Sequence, residues 1–358
     1  MPVSSEHRPQ LATIRTEDAV GTVLCHDITR IVPGESKGPV FRKGHVVRPE
    51  DVPVLLAVGK EHLYVYEPQP GLVHEDDAAR RIAAAVMGSG LALTDPKEGR
   101  INAVAAIHGL LTVDVERLLR INSLGEVSLA TLHTMQEVKE GQAVAGTRVI
   151  PLLADERQVE AVERICAPAA DEPDGAPRPV VAVRPFRCAS VGLVTTGSEI
   201  YHGRIEDKFG PVLHKKFTDL GSRVMGQTLT PDDGDLTRDA ILDFIRGGAD
   251  MVVVTGGMSV DPDDRTPASI RAAGGVVECY GAPTFPGAMF MLAHVGEVPV
   301  LGLPGCVMYH KASIFDLIVP RLLAGVKVGA ADIAALGHGG YCAGCGECRY
   351  PVCPFGKN

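Results

Sequence analysis

The sequence predicts an α/β fold, with a doubly wound, mostly parallel sheet in the C-terminal half preceded by a β-rich α+β N-terminal region. Three observations carry this. From residue 190 onward, nearly continuous apolar runs alternate with helical patterns, as in a parallel sheet covered on both faces. Before residue 165, short alternating runs are separated by Gly-containing turns. The 358 residues are 45% hydrophobic but only 4% aromatic and contain no Trp, so aliphatic packing fills the interior, and the length calls for more than one core.

Taken in order, residues 1–95 form an N-terminal region. It holds alternating segments such as GPVFRKGHVV and EHLYVYEP, then a helix in EDDAARRIAAAVMG with Ala78, Ile82 and Val86 at helical spacing. Residues 96–165 read as a β-rich domain, with INAVAAI, EVSLATLH and GTRVIPLL as strands and ADERQVEAVERICA as a closing helix. Residues 166–188 contain five prolines and read as a linker. Residues 189–328 follow the strand–loop–helix pattern. SVGLVTTG, RVMGQTLT and DMVVVTGG are strands. GPVLHKKFTDLG, with Val212, Phe217 and Leu220 on one side, LTRDAILDFIRGGA and TPASIRAAGG are helices. Residues 329–358 are a Cys-rich tail.

The formal charge of -9 excludes a nucleic-acid-binding surface as the main function, because such surfaces need clustered Lys and Arg. The N-terminal stretch lacks the apolar core of a signal peptide, and no run approaches the ~20 apolar residues of a membrane span, so the expectation is a cytoplasmic protein. In a reducing compartment the nine cysteines are not a disulfide framework. Cys25, Cys166, Cys188, Cys279 and Cys306 stand singly and read as small buried hydrophobes.

In a doubly wound sheet, ligands bind beyond the carboxyl ends of the strands. Three such loops are rich in chemistry. VGLVTTGSE places Thr195, Thr196, Gly197, Ser198 and Glu199 after one strand, and VVVTGGMSVDPDDRTP places Gly256, Gly257, Ser259, Asp261, Asp263 and Asp264 after another. TPDDGD supplies Asp232, Asp233 and Asp235. Glycines admit a ligand close to the backbone, hydroxyls and helix-start amides hold phosphate, and carboxylates hold Mg²⁺ bridging to it. Each loop alone has a bland explanation, since glycine serves tight turns and an acidic residue after a strand caps the next helix.

These motifs, VGLVTTGSEI, GRIEDKFGPVL, TLTPDDGDL, DMVVVTGGMSVDPDD, PGAM and VPVLGLPG, resemble in their order the molybdopterin-binding domain shared by MogA-type adenylyltransferases and MoeA-type molybdenumtransferases. TEDAVGTVLCHDI and RKGHVVRPEDVPVLLAVGKEHLYVYE are similar to MoeA-type N-terminal segments, so the chain is identified as MoeA-like. The resemblance implies that Glu199, Asp233 and Asp264 are catalytic and lie, with Asp232, around the pterin phosphate, Mg²⁺ and molybdate. It implies cofactor contacts from Thr195, Thr196, Gly197, Ser198, Gly256, Gly257, Ser259, Pro304 and Gly305. The activity implied is Mg-dependent molybdate insertion or cofactor transfer on molybdopterin or its adenylylated form. The alternative is a non-catalytic molybdopterin carrier or a redox- or metal-sensing partner of a molybdoenzyme. A homodimer is the family default, and the recipient is a molybdoenzyme or another cofactor-synthesis protein. The chain departs from the family pattern in four places. It has no SxMDGYA-like segment, Phe209 stands for an Asn, PGAM lacks the lysine of PGKP, and Cys306 replaces the Asn of LPGNP.

The tail GHGGYCAGCGECRYPVCPFGKN spaces Cys342, Cys345, Cys348 and Cys353 as C-x2-C-x2-C-x4-C-P. Thiols at two-residue intervals can wrap one metal centre. The pattern is one residue from the bacterial ferredoxin run, so a [4Fe-4S] cluster is the closer match and Zn²⁺ the alternative.

Overall fold

The computed structural model describes residues 13–32, 36–64, 70–168, 178–259, 261 and 264–357. Asp263 of the acidic loop lies outside these residues.

The first part is a small unit in which β1 (Thr13–Arg15) pairs antiparallel with β4 (His62–Tyr64), and β2 (Ile28–Val32) with β3 (Ser36–Phe41). The short α1 (Val52–Ala57) closes it, and Leu24, Ile28, Val47, Leu55 and Leu63 form its core.

The second part is built from β5 (Leu72–His74), α2 (Glu75–Val86), β6 (Leu91–Leu93), β7 (Arg100–Ala105), β8 (Gly109–Val113), α3 (Val115–Asn122), β9 (Val127–Thr131), β10 (Gln136–Val138), β11 (Ala143–Val149), β12 (Leu153–Asp155), α4 (Glu156–Cys166) and β13 (Val181–Pro185). A four-stranded sheet runs β6-β7-β11-β9, and β10-β8-β13 forms a separate three-stranded sheet. Helix α2 buries Ala78, Ile82 and Val86 against this part, so it belongs to the β-rich core rather than to the segment before it. Arg81 of α2 donates to Glu163 at 2.9 Å and to Glu156 at 2.9 Å on α4, tying the two helices together. β13 lies in the stretch that its prolines mark as linker. It pairs antiparallel with β8 because Val181 and Val183 are fully buried there, and Pro185 comes last, where a missing N–H costs least.

The third part comprises β14 (Ser190–Thr196), α5 (Ser198–Tyr201), α6 (Phe209–Asp219), β15 (Arg223–Thr230), α7 (Gly234–Arg246), β16 (Met251–Thr255), α8 (Thr266–Ala272), β17 (Val276–Tyr280), β18 (Met291–Val295), β19 (Val298–Leu303), α9 (Cys306–Tyr309), α10 (Ile314–Leu323) and α11 (Ala330–Ala335). Its six-stranded sheet has the order β15-β14-β16-β19-β18-β17. The sheet is mixed rather than simply parallel, because β18 runs antiparallel to both β19 and β17. The β18–β19 turn is a two-residue Gly296–Glu297 hairpin and the β17–β18 connection, residues 281–290, carries no helix, so both reverse the chain, whereas the connections from β14 to β17 cross over through helices.

Both faces are covered. Leu193, Phe217, Val253, Phe290, Phe315 and Ile318 belong to one core; Val194, Ile241, Val252, Val254 and Ile270 belong to the other. The buried stripe of α6 is Phe209, Leu213 and Phe217. Val212, placed on that stripe by the sequence, is only half-buried, one position off the true face. Gly192 admits α7, since a Cβ there would lie 2.3 Å from the Phe244 ring.

The tail is not a free appendage. The Cys342 N–H donates to the Phe285 carbonyl at 2.8 Å, and Phe285 N–H to the Gly340 carbonyl at 2.7 Å. Tyr350 Oη donates to the Asp316 carbonyl at 2.9 Å, and Phe355 is buried at 2% exposure in the core that holds α10. Cys342 and Cys353 lean on that core, whereas Cys345 and Cys348 are exposed on the intervening loop. Among the described residues no three His, Cys, Asp or Glu side chains are gathered closely enough to hold a metal ion. The four-thiolate centre expected from the spacing is therefore not assembled in this arrangement. Two thiols are packed against the core, and the other two are exposed.

Two outcomes follow from this packing. Phe217, fully buried with its ring 5.2 Å from Phe315 in an edge contact, should cost about 3–5 kcal/mol when changed to Ala, read from urea denaturation. In native protein a disulfide-exchange dye should titrate Cys188, Cys345 and Cys348 rapidly. Cys25 and Cys166, whose thiols burial pushes up, should react only after unfolding. Slow reaction at Cys345 and Cys348 with bound iron or zinc would show instead that the loop regathers around a metal.

Candidate functional site

Parallel register brings the chemical loops to one edge. Thr195 of β14 stands opposite Thr255 of β16, Thr196 opposite Thr230 of β15, and Thr255 opposite Leu303 of β19. The loops beginning at Gly197, Pro231, Gly256 and Pro304 therefore emerge side by side. Gly256 has φ +85°, and a Cβ there would lie 2.0 Å from the Thr196 carbonyl, so only glycine lets these two loop starts pass each other.

Beneath the loops lies a hydroxyl layer. Thr195 Oγ1 accepts from Thr255 Oγ1 at 3.1 Å and from Gln227 Nε2 at 2.9 Å. Gln227 Nε2 also donates to Asp207 Oδ2 at 2.6 Å, and Asp207 accepts the N–H groups of Phe209 at 2.8 Å and Gly210 at 3.1 Å at the start of α6. Gln227 was not singled out from the sequence, because a Gln inside a strand gives no signal until pairing shows which residues it faces. Phe209 is 8% exposed, so the apolar residue at this position serves the core of α6.

The acidic residues divide by what already holds them. Asp232 Oδ2 accepts the Ser198 N–H at 2.8 Å, and Ser198 Oγ accepts the Asp232 N–H at 3.3 Å, locking two of the loops together. Asp233 Oδ1 is the N-cap of α7, accepting Asp235 N–H at 2.9 Å and Leu236 N–H at 3.0 Å. Asp264 Oδ2 accepts the Asp261 N–H at 3.1 Å, closing its own turn. The Glu199 carboxylate, on the short α5, has no hydrogen bond or ion pair among the described residues, although its carbonyl accepts the Arg204 N–H at 2.8 Å. Three carboxylates are thus not gathered into a protein-only cation cage. A Mg²⁺ ion that takes one or two carboxylates and completes its shell with phosphate oxygens and water asks for less, and Glu199 fits that need.

The remaining expected residues flank these loops. Ser259 is exposed just beyond Gly257, Pro304 is buried at the end of β19, and Gly305 is exposed at the start of α9. Cys306 is half-buried, and burial pushes its thiol up, so it stands as a protonated thiol rather than a ready thiolate ligand. His310 is exposed beyond α9. Two cavities of about 590 and 550 Å³ lie elsewhere, between the first and second parts, and no strand-end residue lines them.

Residues 192–324 match the family model described as "Probable molybdopterin binding domain", and residues 13–67 match one described as a domain of unknown function. A CinA-like protein of Anaeromyxobacter dehalogenans is 41% identical over 86 residues, which are 24% of this chain and 21% of that protein. A molybdopterin adenylyltransferase of Pyrococcus furiosus is 35% identical over 80 residues, 22% of this chain and 47% of that one. Among solved structures, the molybdopterin biosynthesis enzyme MoaB of Thermus thermophilus is 19% identical, with a TM-score of 0.33 over 38% of this chain and 97% of that chain. The tungsten cofactor synthesizing protein MoaB of Pyrococcus furiosus is 24% identical, with a TM-score of 0.30 over 38% of this chain and 92% of that chain. The family resemblance read from the motifs thus has an independent match over residues 192–324, which form a molybdopterin-binding-type domain related to those of molybdenum cofactor biosynthesis.

Proposed function

We propose that the strand-end edge of residues 189–328 binds molybdopterin through its phosphate and that the protein acts in molybdenum cofactor biosynthesis as a pterin-binding carrier. The observation that carries this reading is the convergence of the Thr196–Gly197, Asp232 and Gly256–Gly257 loops at one level of a parallel sheet. The glycines at the loop starts let a ligand approach the backbone, and beside them the exposed Ser259 and Glu199, unpaired among the described residues, suit a phosphate bridged by Mg²⁺. The relatives' printed names, a molybdopterin adenylyltransferase and a molybdenum cofactor biosynthesis bifunctional protein, support the same ligand class.

Carriage is placed ahead of molybdate insertion because two of the three expected catalytic carboxylates already have structural work. Asp233 caps α7 and Asp264 closes a turn. Glu199 favours the second reading, Mg-dependent insertion of molybdate. It would hold the ion, which when bound offsets phosphate charge, and Asp264 would approach from the neighbouring loop. The MoeA-like character of the whole chain, a homodimer, a cytoplasmic setting and delivery to a molybdoenzyme or another cofactor-synthesis protein belong to this same proposal. So do the divisions at residues 188 and 328 and the catalytic and cofactor-binding roles given to the strand-end residues.

The test is co-elution of pterin with protein purified without oxygen, using molybdopterin released from a molybdoenzyme and detected as its fluorescent oxidation product. Wild type should retain pterin; a chain that never does so under any Mg²⁺ concentration sinks the reading. Glu199→Gln should weaken Mg-dependent retention while leaving unfolding within about 0.5 kcal/mol of wild type. Asp233→Ala should cost about 1 kcal/mol of stability with or without pterin, the loss of an N-cap.

A further inference from the structure

Away from the strand-end edge, a cleft of about 550 Å³ opens between the first and second parts. That volume suits a small organic molecule. Its lining is acceptor-rich: Asp27, Glu75, Asp76, Asp95 and Glu98 meet there, against the cations Arg42, Lys43 and Lys97. Lys43 is already committed, its Nζ lying 2.9 Å from Asp76 Oδ2 and 2.9 Å from His74 Nδ1. Glu98 lies 4.0 Å from the Arg148 guanidinium and Asp27 Oδ1 accepts the Lys43 backbone N–H at 2.8 Å, which leaves Glu75 and Asp95 as the carboxylates without a partner among the described residues.

Glu75 is the unusual member. It sits at the first turn of α2 with 8% exposure, and its carboxylate has no hydrogen bond or ion pair among the described residues. An unpartnered carboxyl that deep normally carries a stability penalty and is retained where something else satisfies it. Burial first, and then the neighbouring Asp76, push it up to about 7. Arg148 on β11 and Lys43 pull the other way, and Glu98 adds to the push. His26, also lining the cleft, has Nδ1 buried without a partner, and burial lowers its pKa, which leaves a neutral imidazole.

We propose that this cleft is a second ligand site, one that binds a small organic cation bearing a protonated amine, with Glu75 as its buried anchor. The wall offers acceptors to N–H donors, and its carboxylates are spread around a cavity instead of converging on a point. No three of them approach closely enough for a metal ion among the described residues, so the matching cation is an extended organic one. Binding ionises Glu75: its O–H proton leaves to solvent as the ammonium N–H groups take its place, so association near pH 6.5 releases a proton.

The experiment is calorimetric titration of the full chain with 1,4-diaminobutane at pH 6.5, in two buffers of different ionisation enthalpy. Wild type should bind with a buffer-dependent heat equivalent to release of up to about one proton. Glu75→Gln should bind at least about tenfold more weakly and without that dependence. Absence of diamine binding, or equal affinity and proton release in the Glu75→Gln chain, overturns the proposal. Binding of Mn²⁺ or inorganic phosphate in place of the diamine, lost in the same variant, overturns it too. Should Glu75→Gln unfold, Glu98→Gln on the exposed rim keeps the test open. It should weaken diamine binding severalfold, and unchanged binding in it likewise counts against the site.

Discussion

The close passage of Gly256 across the Thr196 carbonyl is the constraint on which the strand-end edge depends. β14 and β16 are parallel neighbours whose last paired residues are Thr195 and Thr255. Their chains must diverge immediately afterwards, one into α5 and the other into the acidic loop. A side chain at position 256 would push these starts apart, and with them the reciprocal bonds of Ser198 with Asp232 that bring in the loop after β15. Three loops keep their relative positions because one residue has no Cβ. The layer of Thr195, Thr255 and Gln227 makes the floor beneath the loops rigid by satisfying its polar atoms within the protein.

That rigidity draws on the carboxylates. An aspartate following a strand can cap the next helix, hold a neighbouring loop or ligate a cation, and each geometry uses the same oxygens. Asp233, Asp232 and Asp264 have each settled one oxygen on backbone N–H groups. A carboxylate accepting such bonds retains lone pairs on its other oxygen, so structural and binding roles are not exclusive. They are unequal, however. Removing a capping aspartate disturbs the loop that would carry the ligand, whereas removing Glu199 changes only charge and acceptor capacity. Assigning function from loss of activity at Asp233 alone would therefore confuse a destabilised helix start with a lost catalytic group.

Much of the third part was legible because its strands are buried on both faces. A run such as MVVVT has no place except inside a sheet, and the glycines and hydroxyls after it fix where its loop begins. The antiparallel β17–β18–β19 segment was not legible as such, since β17 alternates exposed and half-buried residues at an edge and direction is set by the connection, not by the strand. Two helical faces show the same limit. α2 was read correctly as a helix but assigned to the wrong neighbours, and the α6 stripe was read one position out at Val212, because a period fixes spacing more firmly than phase. The tail is a related case: spacing says which cysteines could converge, while the anchoring of Tyr350 and Phe355 in the core, which places Cys342 and Cys353 against it, shows only in the fold.

The same reasoning explains why Glu75 could not be singled out beforehand. In EDDAARR it is one of three acidic residues opening a helix, a composition that the helix dipole favours and that is ordinarily solvated. Its neighbours in sequence met that expectation. Asp77 ion-pairs with Arg80 in the open, and Asp76 takes the Lys43 ammonium and the Gly99 N–H. Glu75 is buried because β12 and the turn at Gly99 close over the first turn of α2, with the Glu75 N–H donated to Leu152 at 2.9 Å. Burial without a partner raises its proton affinity, so above its ordinary pKa of 4.5 the folded chain holds a proton that the unfolded chain has lost. Stability is therefore surrendered as pH rises from 4.5 towards 7, a cost concentrated at a residue that an ordinary surface glutamate would not impose.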